Sequence, residues 1–355
     1  MLKKLICILL LIILSISMNS CSTQYQRFQT EFSGPFDTAT LIIGYTQSET
    51  EFKRYADIIY ERMEELHQLY DIYNAYDGIN NLYTINENAG ISPVEVHKDI
   101  IDMLLVAIQG YELSGGAVNV AMGPVLRIWH KYRTEGVNDS AAAKLPAYDD
   151  LLAASEIMDI NDLIIDEANG TVFLRQGGMS LDVGTVAKGY AAGLAAKAAE
   201  EAGLESALLN IGGHVITIGK PLDGAREYWS IGIQNPELGG GQGNIIDTVY
   251  FNGLTLSISG GYQRFYVVDG IAYNHVIDPE TLMPASKYKQ VAVIHESSVL
   301  ADMLSTALFI MPYEQGLELA EKYGAEALWV DLGDQRKATD GYIEMSQTPG
   351  NPQYN

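Results

Sequence analysis

From residue 205 onward the chain breaks into short apolar runs parted by glycine and asparagine turns: ALLNIGGHVITIGK, YWSIGIQNP, IIDTVYFNG, LTLSISGGYQRFYVVDGIAYNHVIDP and KQVAVIHE. Each run has the length and side-chain character of a strand. Helical spacing of apolar residues lies elsewhere, over 48–70, 98–113, 187–203 and 298–323, the last leading into the strand pattern EALWVDLG. One further strand pattern, TATLIIGY, covers 38–45, and DIYNAYDGINNLYTINENAG reads as a loop rich in Tyr and Asn. Strands and long helices without regular alternation predict an α+β protein rather than a doubly wound sheet. No internal repeat is visible.

The first twenty residues, MLKKLICILLLIILSISMNS, stand outside that pattern. Two lysines followed by a short apolar run read as an export signal. Leu5 to Leu14 is too short to cross a bilayer core of about 30 Å, which needs about 20 apolar residues. Met18-Asn19-Ser20 before Cys21 resembles a bacterial lipoprotein cleavage box through its small residue next to the cysteine. The expected organisation is a signal peptide over 1–20, lipidation at Cys21, a linker over 21–35, one large domain over 36–347 and a polar tail over 348–355. Cys7 leaves with the signal and Cys21 carries the lipid, so no cysteine remains for a disulfide or a thiolate metal site. A hydrophobic content of 47% lets such a domain rely on a large apolar core.

The formal charge of −23 repels phosphate backbones and argues against nucleic-acid binding. A phosphorylated ligand would need a local remedy: a metal ion, a lysine or a helix terminus.

The segment Ser180–Tyr190, SLDVGTVAKGY, crowds two glycines, an acid and a lysine into a strand-to-helix join. Free backbone amides at the positive end of a helix suit a phosphate. The turn has neither P-loop nor Rossmann spacing, so a nucleotide bound there is held in another way. Taken alone, Asp182 also fits a turn cap and Lys188 a solvated helix residue.

In VLADMLSTALF, Asp302 and Thr306 stand four apart, one helical turn from each other on one face. Their oxygens, with a carbonyl and phosphate oxygens, would make a shell for a hard cation. The pair alone is equally explained by an acid near a helix start. In AYNHVIDPETLMPA, His275 is read in a strand, with Asp278 in a turn before Pro279. A histidine there suits proton exchange or phosphate contact, and also suits a plain structural hydrogen bond.

Taken in order, SGGAVNVAMGPVLRIWH, LDVGTVAKGYAAG, LNIGGHVITIG, SISGGYQRFYVVDG, YNHVIDPETLMPA and VLADMLSTALFIM resemble the blocks of the ApbE family of FAD:protein FMN transferases. The likeness runs from Phe36 to Leu332. The resemblance implies an ApbE-like, T-fold-related single large domain of mixed and antiparallel sheets flanked by helices. It also implies an exported, lipid-anchored enzyme that takes FAD with Mg²⁺, or with Mn²⁺ in its place. Such an enzyme splits the pyrophosphate, releases AMP and leaves FMN on a Thr or Ser hydroxyl of a partner, typically a membrane electron-transfer subunit.

Carried over by position, the resemblance makes Phe36, Tyr76, Ala117, Val118, Asn119, Asp182, Lys188 and Ile277 FAD contacts. Thr185, Asp302 and Thr306 become metal ligands, with Ser305 an addition, and His275 the histidine beside the reacting phosphate. Tyr76 stands ten residues before Asn86, as in the family's tyrosine-to-asparagine block. The chain departs from the family pattern at Val118-Asn119-Val120-Ala121, where Phe-Asp-x-Thr is usual. It departs again at Asn80-Asn81 in place of Ser-Glu, and at Ile258-Ser259-Gly260-Gly261 in place of Thr-Ser-Gly-Asp. Two other activities stay compatible with the residues: a Mg²⁺-dependent FAD pyrophosphatase, and an FAD-binding lipoprotein without catalysis.

Overall fold

The helix α1, Glu49–Tyr70, starts where Ser48 Oγ accepts the amide of Glu51 at 3.2 Å, a serine N-cap that supplies one of the orphan donors of the first turn with a partner. Its buried face, with Phe52, Tyr55, Ile59, Met63 and Leu66, recurs every three to four residues and packs into the core. The computed structural model of the protein describes residues 25–237 and 244–346. The signal over 1–20, Cys21 and the tail over 348–355 lie outside the described residues.

The other elements in chain order are β1 (Gln26–Ser33), β2 (Ala39–Thr46), α2 (Leu82–Glu87), β3 (Val94–Glu95), α3 (Lys98–Leu113), α4 (Gly123–Asn138) and α5 (Tyr148–Ser155). Then come β4 (Leu163–Asp166), β5 (Thr171–Leu174), α6 (Ala187–Glu201), β6 (Ala207–Ile211), β7 (His214–Ile218), β8 (Trp229–Gln234) and β9 (Ile245–Phe251). The chain continues through β10 (Thr255–Gly260), β11 (Phe265–Val268), β12 (Ile271–Asn274), β13 (Tyr288–His295), α7 (Ser298–Ile310), α8 (Tyr313–Lys322), β14 (Glu326–Asp331), β15 (Arg336–Ala338) and α9 (Asp340–Ser346).

Eight strands form one sheet in the order β1-β2-β6-β7-β10-β13-β14-β15, and every neighbouring pair is antiparallel. Both faces are covered. On one, Leu209, Val291 and Val293 join α1, α6 and α7 in the main core. On the other, Leu256, Ala292 and Ile294 pack with the β8–β9 hairpin and Tyr342 of α9. Burial on two faces explains why β13 reads as almost continuously apolar. This is the α+β architecture expected from the sequence.

Three expectations change. Gln26–Ser33, inside the stretch read as a linker, is the edge strand β1, paired with β2 from Gln26↔Thr46 to Ser33↔Ala39. Its alternation of polar and aromatic residues suits an edge with one face half-buried. The helix read over 298–323 is two: α7 ends at Ile310 and α8 begins after Pro312, whose ring cannot continue a helix. The loop DIYNAYDGINNLYTINENAG contains the short helix α2, which Asn81 caps by accepting the amide of Thr84 at 3.1 Å.

Candidate active site

A cavity of about 770 Å³ opens among the 182–188 turn, α7, β10, the end of α1, α4 and the segment that follows β12. Its floor is built by a close crossing of α6 and α7. Gly189 and Gly193, four apart on α6, face α7: a Cβ on Gly189 would stand 2.5 Å from Asp302 Cβ, and one on Gly193 3.1 Å from Ser298 Cβ. The small residues of AKGYAAGLAAKAA are what let the two backbones approach.

Asp302 is the hub of that crossing. Its Oδ1 accepts from Lys188 Nζ at 3.2 Å and from Ser257 Oγ at 2.9 Å, and its Oδ2 accepts the amide of Gly189 at 2.8 Å. Burial by itself would raise the Asp302 pKa. The charge of Lys188, the nearby His214, the Gly189 amide and the Ser257 hydroxyl outweigh it and hold the carboxyl below the usual carboxylate range. Ser305 Oγ donates to the Asp302 carbonyl at 2.9 Å, and Ser259 Oγ lies 2.9 Å from Ser305 Oγ and 3.3 Å from Thr306 Oγ1. Asp302 and Thr306 line the cavity, whereas Ser305 is fully buried behind them.

Thr185 lines the same cavity. The amide of Gly189, which in a regular first turn would close onto the Thr185 carbonyl, is taken instead by Asp302. Thr185 Oγ1 is buried and has no partner among the described residues. A carbonyl released by the helix, an orphaned hydroxyl, a carboxylate and Thr306 together form a hard-oxygen set that fits a divalent cation such as Mg²⁺.

The same turn carries Asp182, part-exposed on the cavity wall. Its backbone is clamped from both sides: the Asp182 amide donates to the Val120 carbonyl at 2.8 Å, and Asn86 holds both polar groups of Leu181, accepting its amide at 2.7 Å and donating to its carbonyl at 3.1 Å. Burial pushes the Asp182 carboxyl up, and the Gly184 amide, His130 and Arg133 pull against it without reversing the shift.

His275 follows β12, which ends at Asn274, so it stands just past the strand in which it was expected. Its Nδ1 is buried, with no partner among the described residues. Burial first, then the charges of Arg264, Arg133 and Lys188, push its pKa down to about 4, against a hydrogen bond to the Arg264 backbone. The ring is therefore neutral near pH 7, with one nitrogen free.

Phe36, Ala117, Asn119, Lys188 and Ile277 line the cavity. Val118 does not: its side chain is fully buried in the core, and its amide donates to Ser114 Oγ at 3.0 Å. Tyr76 is off the wall as well, because its hydroxyl donates to Asp71 Oδ2 at 2.8 Å. Tyr73 is on the wall instead, 57% exposed, with its hydroxyl 3.1 Å from His130 Nδ1.

Ser257, Ser259 and His214 escaped the reading of the sequence. Ser257 and Ser259 alternate on β10 in SISGG and so share the face turned to α7, a period-two signal that was available. His214 offered no signal. Ser298 Oγ donates to the Gly189 carbonyl at 2.6 Å and so accepts from His214 Nε2 at 2.8 Å. That leaves Nδ1 of the fully buried ring without a proton, 3.8 Å from Asp302 Oδ1. Burial, followed by Lys188, pushes the His214 pKa down to about 3.

A model of the ApbE family matches residues 38–329, most of the chain. The chain belongs to the ApbE family. Among its relatives, the FAD:protein FMN transferase of Treponema pallidum is 28% identical over 324 residues, covering 87% of this chain and 88% of the relative. A protein of the same name from Klebsiella pneumoniae is 30% identical over 249 residues, 69% of this chain and 73% of that one. The crystal structure of the ApbE protein of Thermotoga maritima superposes with a TM-score of 0.78 at 26% identity, over 92% of this chain and all of that one. The flavin transferase ApbE of Vibrio cholerae shares the fold with a TM-score of 0.73 at 24% identity, over 90% of this chain and 100% of its own.

Proposed function

We propose that this protein is an FAD:protein FMN transferase that moves FMN from FAD to a Thr or Ser hydroxyl of a partner protein and releases AMP. The observation that carries the reading is the set of oxygens of Thr185, Asp302 and Thr306, with Lys188 bonded to Asp302, on the wall of a cavity that His275 also lines. Membership of the family and the names of its relatives point the same way.

In this reading Thr185, Asp302 and Thr306 hold Mg²⁺, which when bound withdraws charge from the FAD pyrophosphate. Lys188 adds a positive charge in a chain whose net charge is −23. Asp182, Phe36, Ala117, Asn119 and Ile277 line the space for the rest of FAD. The acceptor hydroxyl attacks the FMN phosphorus: a new O–P bond forms, the P–O bond to AMP breaks, and AMP leaves with the electron pair. His275 takes the hydroxyl proton. The dianionic substrate beside the ring acts against the cations that depress its pKa, which brings it closer to the range a general base needs.

Anchoring is part of the same proposal: lipid on Cys21 would hold the enzyme at the extracytoplasmic face of a membrane, near an electron-transfer acceptor. Mass spectrometry of the N-terminal peptide tests it, and an unmodified Cys21 in the membrane-extracted protein would remove it.

The activity is tested by incubating the protein with FAD, Mg²⁺ and an acceptor domain while following AMP and acceptor mass. A Mg²⁺-dependent gain of one FMN on the acceptor is the expected result. AMP and free FMN without labelling would mean hydrolysis instead, and retained intact FAD would mean binding alone.

A further inference from the structure

The eight-stranded sheet has two edges, and they end differently. β15 is three residues long, carries Lys337 and leads at once into α9. A short strand with a lysine is an ordinary way of stopping an edge from pairing with another chain. β1, at the opposite edge, is eight residues long and pairs with β2 through every residue from Gln26 to Ser33, with no bulge and no proline. No strand among the described residues pairs with its outer side, which leaves an open ladder of roughly 26 Å.

On one face of β1, Phe28 stacks on Phe52 of α1 with ring centroids 5.8 Å apart, and Phe32 meets Tyr60 edge to face at 5.0 Å. Tyr60 is 40% exposed, so this aromatic row reaches the surface beside the open edge. Arg27, Gln29 and Glu31 alternate with the aromatics and are exposed on the other face. Arg27 donates to Gln29 Oε1 at 2.8 Å. Arg27 and Glu31 are the charged residues of β1, and they stand at equal distances on either side of Gln29. Symmetry turns that spacing into complementarity. Where two copies of the strand meet antiparallel about a two-fold axis at Gln29, residues equally far from it oppose each other, and Arg27 of each copy faces Glu31 of the other. Opposite charges across a ladder favour pairing, and like charges disfavour it. Phe28 then faces Thr30 and Phe32 faces Gln26, which sets the two aromatic rows side by side. A parallel pairing in register would instead put arginine against arginine and glutamate against glutamate.

We propose that β1 is a dimerisation edge, at which two copies of this chain join antiparallel through Gln26–Ser33, centred on Gln29, into one continuous sheet. The partner is a second copy because the charges of the strand complement themselves in this register, as an isologous two-fold contact requires. The backbone ladder supplies the attraction, and the two Arg27–Glu31 pairs supply direction and register. The proposal does not depend on the transferase reading.

The test is analytical ultracentrifugation of the purified protein over a range of concentrations, where a monomer–dimer equilibrium is expected. Arg27→Glu sets acid against acid at both pairs, and Glu31→Arg sets base against base. Each single reversal should weaken the dimer about tenfold, and the double reversal Arg27→Glu/Glu31→Arg should restore the wild-type constant. Gln29→Cys reads the register directly. Opposed residues of an antiparallel ladder have Cα atoms about 4.5–5.5 Å apart, within the span of a disulfide. Mild oxidation should therefore join two copies through position 29, identified by peptide mass, while Ser33→Cys, far from the axis, should not join to itself. A protein that stays monomeric throughout would overturn the proposal. So would a dimer indifferent to the single reversals, or cross-linking as ready at position 33 as at position 29.

Discussion

The amide of Gly189 donates to Oδ2 of Asp302 at 2.8 Å, tying the first turn of α6 to the middle of α7 across 113 residues of chain. The bond orients the carboxylate and at the same time frees the Thr185 carbonyl. Gly189→Ala would bring a methyl group within 2.5 Å of Asp302 Cβ and 2.9 Å of the Ser298 carbonyl. Overpacking of this kind costs about 1–3 kcal/mol. A lower urea midpoint and reduced AMP release are expected together, and a variant with wild-type stability and turnover would show that the crossing has slack.

Asp302→Asn keeps the shape of the side chain and removes its charge, leaving Lys188 without its ion-pair partner. Mg²⁺-dependent AMP release is expected to vanish while circular dichroism stays native. Turnover at the wild-type rate would take Asp302 out of the mechanism.

His275 makes the folded state sensitive to acid. The unfolded chain binds a proton on this ring below about pH 6.5, whereas the folded chain resists until about 4. More protons are then bound in the unfolded state between those limits, so stability present above pH 6.5 is lost as pH falls towards 4, by on the order of 3 kcal/mol. His214, pushed down to about 3, acts in the same sense. Urea unfolding between pH 7.5 and 5 should show the loss, and His275→Ala should flatten the slope by about one proton. An unchanged slope in that variant would mean the ring is not held neutral by the fold.

Asn86 holds the strand-to-helix turn from a distance, with two hydrogen bonds to the backbone of the buried Leu181. At about 1 kcal/mol for each bond, and more where a partner is left buried and unpaired, Asn86→Ala should cost about 2 kcal/mol. FAD affinity should fall with it, because Asp182 is the next residue. Chemical denaturation and a flavin titration check the two effects separately.

Phe36 adopts φ 56° and ψ 27°, a left-handed conformation that a bulky residue avoids. His67 Nδ1 accepts its amide at 3.2 Å, and the two rings meet edge to face with centroids 5.6 Å apart. Loss of that support in His67→Ala should weaken FAD binding about fivefold, the worth of one hydrogen bond. The same substitution in a Phe36→Gly background should matter little, and equal losses in both backgrounds would uncouple the two residues.

Much of the site was legible because its parts are local. Asp302 and Thr306 share a helix face by their spacing, and LDVGTVAKGY announces a turn by its glycines. Order along the chain then identified the family, which no single block could do. Contacts across elements were not legible. The tyrosine chosen from its distance to Asn86 turned away from the wall because Asp71 captures its hydroxyl, and Tyr73 lines the cavity instead. Val118 was named with its neighbours, yet its side chain is buried in the core while Ala117 and Asn119 line the cavity. The strand β1 was overlooked because a polar edge strand carries half the apolar signal of a central one.

By itself, then, the sequence determined the class of fold, the long helices over 49–70, 98–113 and 187–201, and the turn and helix whose residues line the cavity. These depend on spacings of a few residues, where side-chain direction follows from backbone geometry alone. Only the tertiary structure decided that Lys188, Gly189, Ser257 and His214 converge on Asp302. Those meetings join residues 45 to 114 positions apart around Asp302. They are set by which small residues allow two helices to cross, and that leaves no local pattern in the chain.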